Sequence, residues 1–152
     1  MHNTQQEVLR LLTQRGKSFS AAESCTGGLI AKMFTDLPGA SRAFVGGVVS
    51  YTNGVKHRVL GVPEEVLERC GAVSEPVAEA MARGVRHITG SDYAVSVTGL
   101  AGPEGDDRGN PGGPVFIGLA ASDGTEGVRP QVAGHREAGR PPAAEHATAL
   151  AV

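Results

Sequence analysis

The stretch Ala22-Glu23-Ser24-Cys25-Thr26-Gly27-Gly28 sets a hydroxyl, a thiol and two glycines between a strand-like run and a helix-like one. Upstream, Phe19 and Ala21 fall on one side of an alternating segment. Downstream, Leu29, Ile30, Met33 and Phe34 recur at helical spacing. The stretch therefore reads as a loop joining strand to helix. Gly27 and Gly28 let the backbone turn tightly and leave the first amides of the new helix free to face a phosphate or a developing oxyanion. Ser24 is then a candidate nucleophile and Thr26 stands beside the donors. The plainer alternative is that Thr26 caps the helix and Ser24 is a turn residue.

A serine hydroxyl needs a base or a lowered pKa before it attacks an amide. His2 is terminal, His57, His87 and His146 fall in helical segments among charged residues, and His135 lies on a hairpin, so all five read as surface residues. Lysine is the other candidate. Of Lys17, Lys32 and Lys56, only Lys56 follows a buried strand in a turn suited to a site. Its amine, with a solution pKa of about 10.4, must be desolvated or set near another cation to act as a base at neutral pH. Cys25 competes as nucleophile, since a thiol at a helix N-terminus can ionise more readily. Gly16-Lys17-Ser18 resembles the end of a phosphate-binding P-loop, but the glycine required five positions earlier is Leu11, which excludes that motif.

The elements that must carry these residues follow in order. Thr4 and Glu7 fit a capping box, and Val8, Leu11 and Leu12 give an apolar face before Gly16 stops the first helix. A second helix runs from about Gly27 to Thr35 and ends at Pro38-Gly39. Ala43 to Tyr51 reads as a buried strand through Phe44, Val45, Val48 and Val49, delivering Tyr51 at its exit. Thr52 to Lys56 is a turn or helix start, and Val55, Val59 and Leu60 form a stripe closed by Gly61. Pro63 opens a helix through Cys70, and Ser74-Glu75-Pro76 starts a longer one carrying Val77, Ala80, Met81, Val85 and Ile88.

Tyr93 to Thr98 is a strand feeding the segment Gly99 to Gly113, whose six glycines suit either a loop tip or a wall shaped against a ligand. Val115 to Ala120 is the next strand, and Asp123-Gly124 turns the chain back towards Val128 and Val132. Arg136 and Arg140 end that return, and after Pro141-Pro142 the run Ala143 to Val152 can close the chain as a helix. Strands alternating with helices, plus one hairpin, predict a single three-layer αβα domain over residues 1–152, with a mixed, mainly parallel sheet and a C-terminal hairpin.

Composition narrows the function. A formal charge of −2 over 152 residues, with acidic and basic residues dispersed, leaves no footprint for nucleic acid or an anionic membrane. A polar N-terminus and the lack of a long apolar run predict a cytoplasmic protein. Cys25 and Cys70 lie far apart and form no zinc or disulfide pattern. With 22 glycines and few aromatic residues, the chain favours tight turns and close backbone approaches over a large aromatic core.

Four motifs, in order and spacing, resemble the CinA C-terminal domain family: Ala22 to Gly28; Gly46-Gly47-Val48-Val49-Ser50-Tyr51-Thr52-Asn53 with Lys56; Gly71-Ala72-Val73-Ser74-Glu75; and Val97-Thr98-Gly99-Leu100-Ala101-Gly102-Pro103. The likeness runs from about residue 5 to 140. It implies hydrolysis of the carboxamide of nicotinamide mononucleotide to nicotinic acid mononucleotide and ammonia, with no metal or cofactor. It further implies Ser24 as nucleophile, Lys56 as general base, and Tyr51 orienting the pair or passing the proton. Thr26, Gly27 and Gly28 would give donors around the substrate, Thr98, Gly99 and Gly102 the opposite wall, and Arg136 and Arg140 the grip on the phosphate. Glu23 and Glu75 would hold loops through backbone amides.

The chain departs from the family pattern at Gly54-Val55, at His135, near Asn110 and at the Pro141-Pro142 pair, and is read as the stand-alone form. A homodimer is expected from the family habit of self-association. The competing reading is a nucleotide- or partner-binding module linked to competence and DNA damage.

Overall fold

The computed structural model describes residues 4–99 and 114–128. Along the chain it holds α1 (Thr4–Arg15), β1 (Phe19–Glu23), α2 (Leu29–Thr35), a single 3-10 turn (Ala40–Arg42), β2 (Phe44–Val49), α3 (Asn53–Arg58), α4 (Glu64–Cys70), α5 (Glu75–Thr89), β3 (Tyr93–Gly99), β4 (Val115–Ala121) and β5 (Gly124–Val128). The strands form one sheet in the order β2-β1-β3-β4-β5. β1 pairs in parallel with β2 and β3, while β4 runs antiparallel to both β3 and β5. Four of the five strands thus share one direction, and the mixed sheet with its hairpin is the one that the sequence predicts. The hairpin loop is Ser122-Asp123, with Gly124 already paired to Ala121.

Strand alternation sorts side chains into two cores. Phe19 and Ala21 of β1, Val95 and Val97 of β3, and Val115 and Ile117 of β4 pack with Val8, Leu9 and Leu12 of α1 and Ile30 and Phe34 of α2. Ala22, Ala94 and Ala120 face the other way, against Val77, Ala80, Met81 and Val85 of α5 and against Leu60, Val62 and Leu67. This is the αβα sandwich. On α1 the buried side is Gln5, Val8, Leu9 and Leu12; Leu11, expected on that side, is half-buried. Phe19, Phe34 and Phe44 pack with ring centroids 4.6 to 5.9 Å apart, clamping the N-terminal ends of β1 and β2.

Two departures concern β2. It is an edge strand, not a buried one, and Val45 and Val49 are 51% and 49% exposed. An apolar run alone does not distinguish an edge from a centre, because one covered face is enough to select such residues. Its register also shifts between the partners of Phe19 and Ser20.

The α5 layer lies directly on β4 because Gly118 has no side chain. A Cβ there would stand 2.2 Å from the Ala78 carbonyl oxygen and 2.5 Å from Ser96 Oγ. Ser96 uses that proximity to donate a 2.5 Å hydrogen bond to the same carbonyl. Gly118→Ala is expected to lower unfolding free energy by about 2 kcal/mol, since helix backbone cannot yield as a side-chain tip can. Urea denaturation at unchanged m-value checks it, and a loss under about 0.5 kcal/mol would mean that α5 rides away from the sheet at little cost.

Candidate active site

After β1 the chain enters α2 on one face of the sheet, whereas after β2 it enters α3 and then α4 and α5, whose core lies on the other face. Neighbouring parallel strands whose connections leave to opposite faces open a crevice at their carboxyl ends, the usual ligand site of such sheets. Ser24 follows β1 there, and Ser50 and Tyr51 follow β2. The Ser24 amide still donates to Val97 of β3 at 3.0 Å, and the Ser50 amide to Glu23 at 2.7 Å, so both exits are pinned to the sheet.

Lys56 arrives from α3. Thr52 caps this helix, its hydroxyl accepting from the Val55 amide. A helical side chain leans towards the N-terminus of its own helix. Lys56 accordingly reaches back and donates from Nζ to the Ser50 carbonyl at 2.7 Å, to Ser24 Oγ at 3.1 Å and to the Tyr51 carbonyl at 3.4 Å. The residue is 1% exposed. Burial pushes its amine down to about 8, against a smaller upward pull from Cys25. A buried lysine hydrogen-bonded to a serine hydroxyl is a base within reach of a nucleophile.

The Thr26 hydroxyl and the Gly27 amide are engaged by the protein itself. Glu23, 1% exposed, accepts from the Thr26 hydroxyl at 2.7 Å and the Ile30 amide at 2.8 Å on Oε1, and from the Ala31 amide at 3.0 Å on Oε2. The head of α2 expected to be free for a ligand is therefore filled by the protein's own carboxylate. Gly27 gives its amide to the Ser24 carbonyl at 3.0 Å, and Gly28 holds φ at +108°, which a side chain would strain. Among the described residues the amides of Thr26 and Gly28 meet no main-chain acceptor.

Thr98, expected on the substrate wall, is buried and donates its hydroxyl to the Ala72 carbonyl at 2.8 Å. Gly99 closes β3 opposite Val115. Tyr51 is 59% exposed and brings its carbonyl to Lys56. Cys25 is buried within the α1/α2 core. His57 turns Nδ1 to the Val62 carbonyl at 2.8 Å. Gly102, Arg136, Arg140, His135 and the rest of the Gly99 to Gly113 segment beyond Gly99 lie outside the described residues. Among the described residues no cluster of three His, Cys, Asp or Glu could hold a metal ion, and no helix is long and apolar enough to cross a membrane. Ser50 is the contributor that the residue pattern does not mark, since it acts through its carbonyl; its place between β2 and Tyr51 was the available signal.

The model of the CinA C-terminal domain matches residues 1–152. The chain is 48% identical over 141 residues to a nicotinamide-nucleotide amidohydrolase PncC of Enterobacter agglomerans, covering 92% of this chain and 86% of that one. It is 50% identical over 131 residues to a CinA-like protein of Geobacter sulfurreducens, covering 86% of this chain and 32% of that one. The chain spans about a third of the length of several such curated relatives, between 30% and 32%. Among solved structures, the competence damage-inducible protein A from Klebsiella pneumoniae superposes with a TM-score of 0.94 at 36% identity, over 98% of this chain and 94% of that one. A match along the full length, together with this shared architecture, shows that the chain belongs to the CinA C-terminal domain family.

Proposed function

We propose that the chain is an amidohydrolase that converts nicotinamide mononucleotide to nicotinic acid mononucleotide and ammonia, with Ser24 as nucleophile and Lys56 as general base. The carrying observation is the buried Lys56 amine 3.1 Å from Ser24 Oγ. As a neutral amine, Lys56 keeps two N–H bonds on the Ser50 and Tyr51 carbonyls and turns its lone pair to the serine hydroxyl. It takes the Ser24 proton as Oγ attacks the carboxamide carbon. The resulting oxyanion meets main-chain donors, for which the Thr26 and Gly28 amides are suited. The C–N bond then breaks, the Lys56 ammonium returns its proton to the leaving nitrogen, and ammonia departs from a serine ester. Water attacks that ester as Lys56 takes its proton, and as the bond to Ser24 Oγ breaks Lys56 hands that proton to the leaving oxygen, which releases the acid and restores the serine hydroxyl and the neutral amine. The identity to a protein named a nicotinamide-nucleotide amidohydrolase supports this substrate class.

Arg136 and Arg140 are the proposed grip on the phosphate. The register Glu23 to Val97 to Ile117 to Val128 brings the end of β5, eight residues before Arg136 in the sequence, to the same end of the sheet as Ser24. The direct test mixes purified protein with nicotinamide mononucleotide and follows ammonia and the acid product. Turnover is expected, with kcat/KM for the nucleoside lacking phosphate lower by at least about a hundredfold, through loss of a charged bidentate contact. No ammonia from either compound would reject the amidohydrolase and favour a binding module, and equal turnover of both would reject the phosphate grip.

A further inference from the structure

Glu23 is tied to both halves of the reactive pair, although neither half touches its carboxylate. Through the side chain it gathers the Thr26 hydroxyl and the Ile30 and Ala31 amides, which fixes the turn that presents Ser24. Through its carbonyl it accepts from the Ser50 amide at 2.7 Å and the Ser50 hydroxyl at 3.4 Å. Ser50 in turn offers its own carbonyl to Lys56 Nζ at 2.7 Å. One buried residue thus spans from the head of α2 to the acceptor that holds the amine.

We propose that Glu23 is the positioning residue of the Ser24–Lys56 pair, its two acceptor oxygens setting the aim of the nucleophile. Both oxygens are needed as acceptors. A glutamine would turn its N–H groups either onto the Ala31 amide or onto the Thr26 hydroxyl and Ile30 amide, leaving donor against donor in a dry site. The turn would then relax, and a displacement of about 1 Å at a nucleophile is enough to slow attack by about a hundredfold. Thr26→Val removes one of the three donors at nearly constant volume and should give a smaller loss of the same kind.

The effect on turnover rests on the amidohydrolase reading, so the test adds a measure that needs no nucleotide: the rate at which a fluorophosphonate labels Ser24, followed by intact mass and peptide mapping. In Glu23→Gln, labelling and kcat should both fall by at least about tenfold while KM stays within about threefold, and Glu23→Asp should recover part of the loss. In Thr26→Val, labelling should fall by about threefold. Folded Glu23→Gln or Thr26→Val labelled at the wild-type rate would overturn the proposal, as would a loss confined to KM. If Glu23→Gln does not fold, Thr26→Val decides. Wild-type protein labelled at Ser24 but releasing no ammonia would reject the amidohydrolase and leave Glu23 to be judged on labelling rates. Wild-type protein not labelled at Ser24 would overturn both.

Discussion

Ser24→Ala is expected to lower kcat for nicotinamide mononucleotide by at least about a thousandfold, with thermal stability nearly unchanged. The hydroxyl is the attacking atom, so its loss cannot be repaired by the base. Its removal opens little space, and the Lys56 amine keeps the Ser50 and Tyr51 carbonyls as acceptors. Cys25 is the neighbour that could mislead this experiment. Packed in the α1/α2 core, it is expected to be dispensable, and Cys25→Ala should retain turnover within about threefold. The two variants assayed side by side, with ammonia as the readout, separate hydroxyl from thiol. Full activity in Ser24→Ala would reject the serine, and its loss in Cys25→Ala alone would assign the thiol.

Lys56→Arg should be almost as damaging, by about a thousandfold in kcat/KM, because a guanidinium keeps the charge but cannot accept a proton near neutral pH. In the wild type the base must be the neutral amine, whose fraction grows with pH, so kcat/KM should rise through an apparent pKa of about 8 and level off above it. At pH 7 roughly a tenth of such amines is neutral, about 300 times more than an unshifted lysine would supply. Near-wild-type turnover in Lys56→Arg, or a profile still rising through pH 10, would leave Lys56 as an electrostatic contact. The same burial also shows in stability. Between about 8 and the ordinary lysine range of 10.5, the unfolded chain holds a proton that the native chain has lost, so this residue's penalty to folding is full below that window and fades as pH rises through it. The thermal midpoint of wild type should therefore gain on that of Lys56→Met between pH 7 and 10.

Much of this was legible in the residues. Period-3.6 patterns place α2 and α5 because each has one dry face that must be apolar, β1 and β3 stand out as short runs of small and apolar residues covered on both faces, and the Gly27-Gly28 pair marks the turn before α2. Ser24 and Lys56 could be picked as candidates from what precedes each of them. The edge position of β2 was not legible, because Val45 and Val49 look the same on an open edge as in a covered centre. Nor was the destination of each hydrogen bond. Thr26 and Thr98 have the right chemistry to meet a substrate, yet their hydroxyls go to Glu23 and Ala72, a choice set by distances that arise only once α2 and the segment before α5 are packed.

The acceptors that hold the Lys56 amine are main-chain carbonyls of residues 50 and 51. Every amino acid carries that oxygen, so the setting of the base is inherited with the path of the backbone and not with the letters at those two positions. The exposed side chain at position 51 can therefore change over evolutionary time without removing this hold, whereas Ser50, fully buried with its hydroxyl on the Glu23 carbonyl, is tied to its place. The basicity itself follows from burial, so a change in it enters through whatever opens the cover over the lysine, an insertion or a proline at the β2 exit among them.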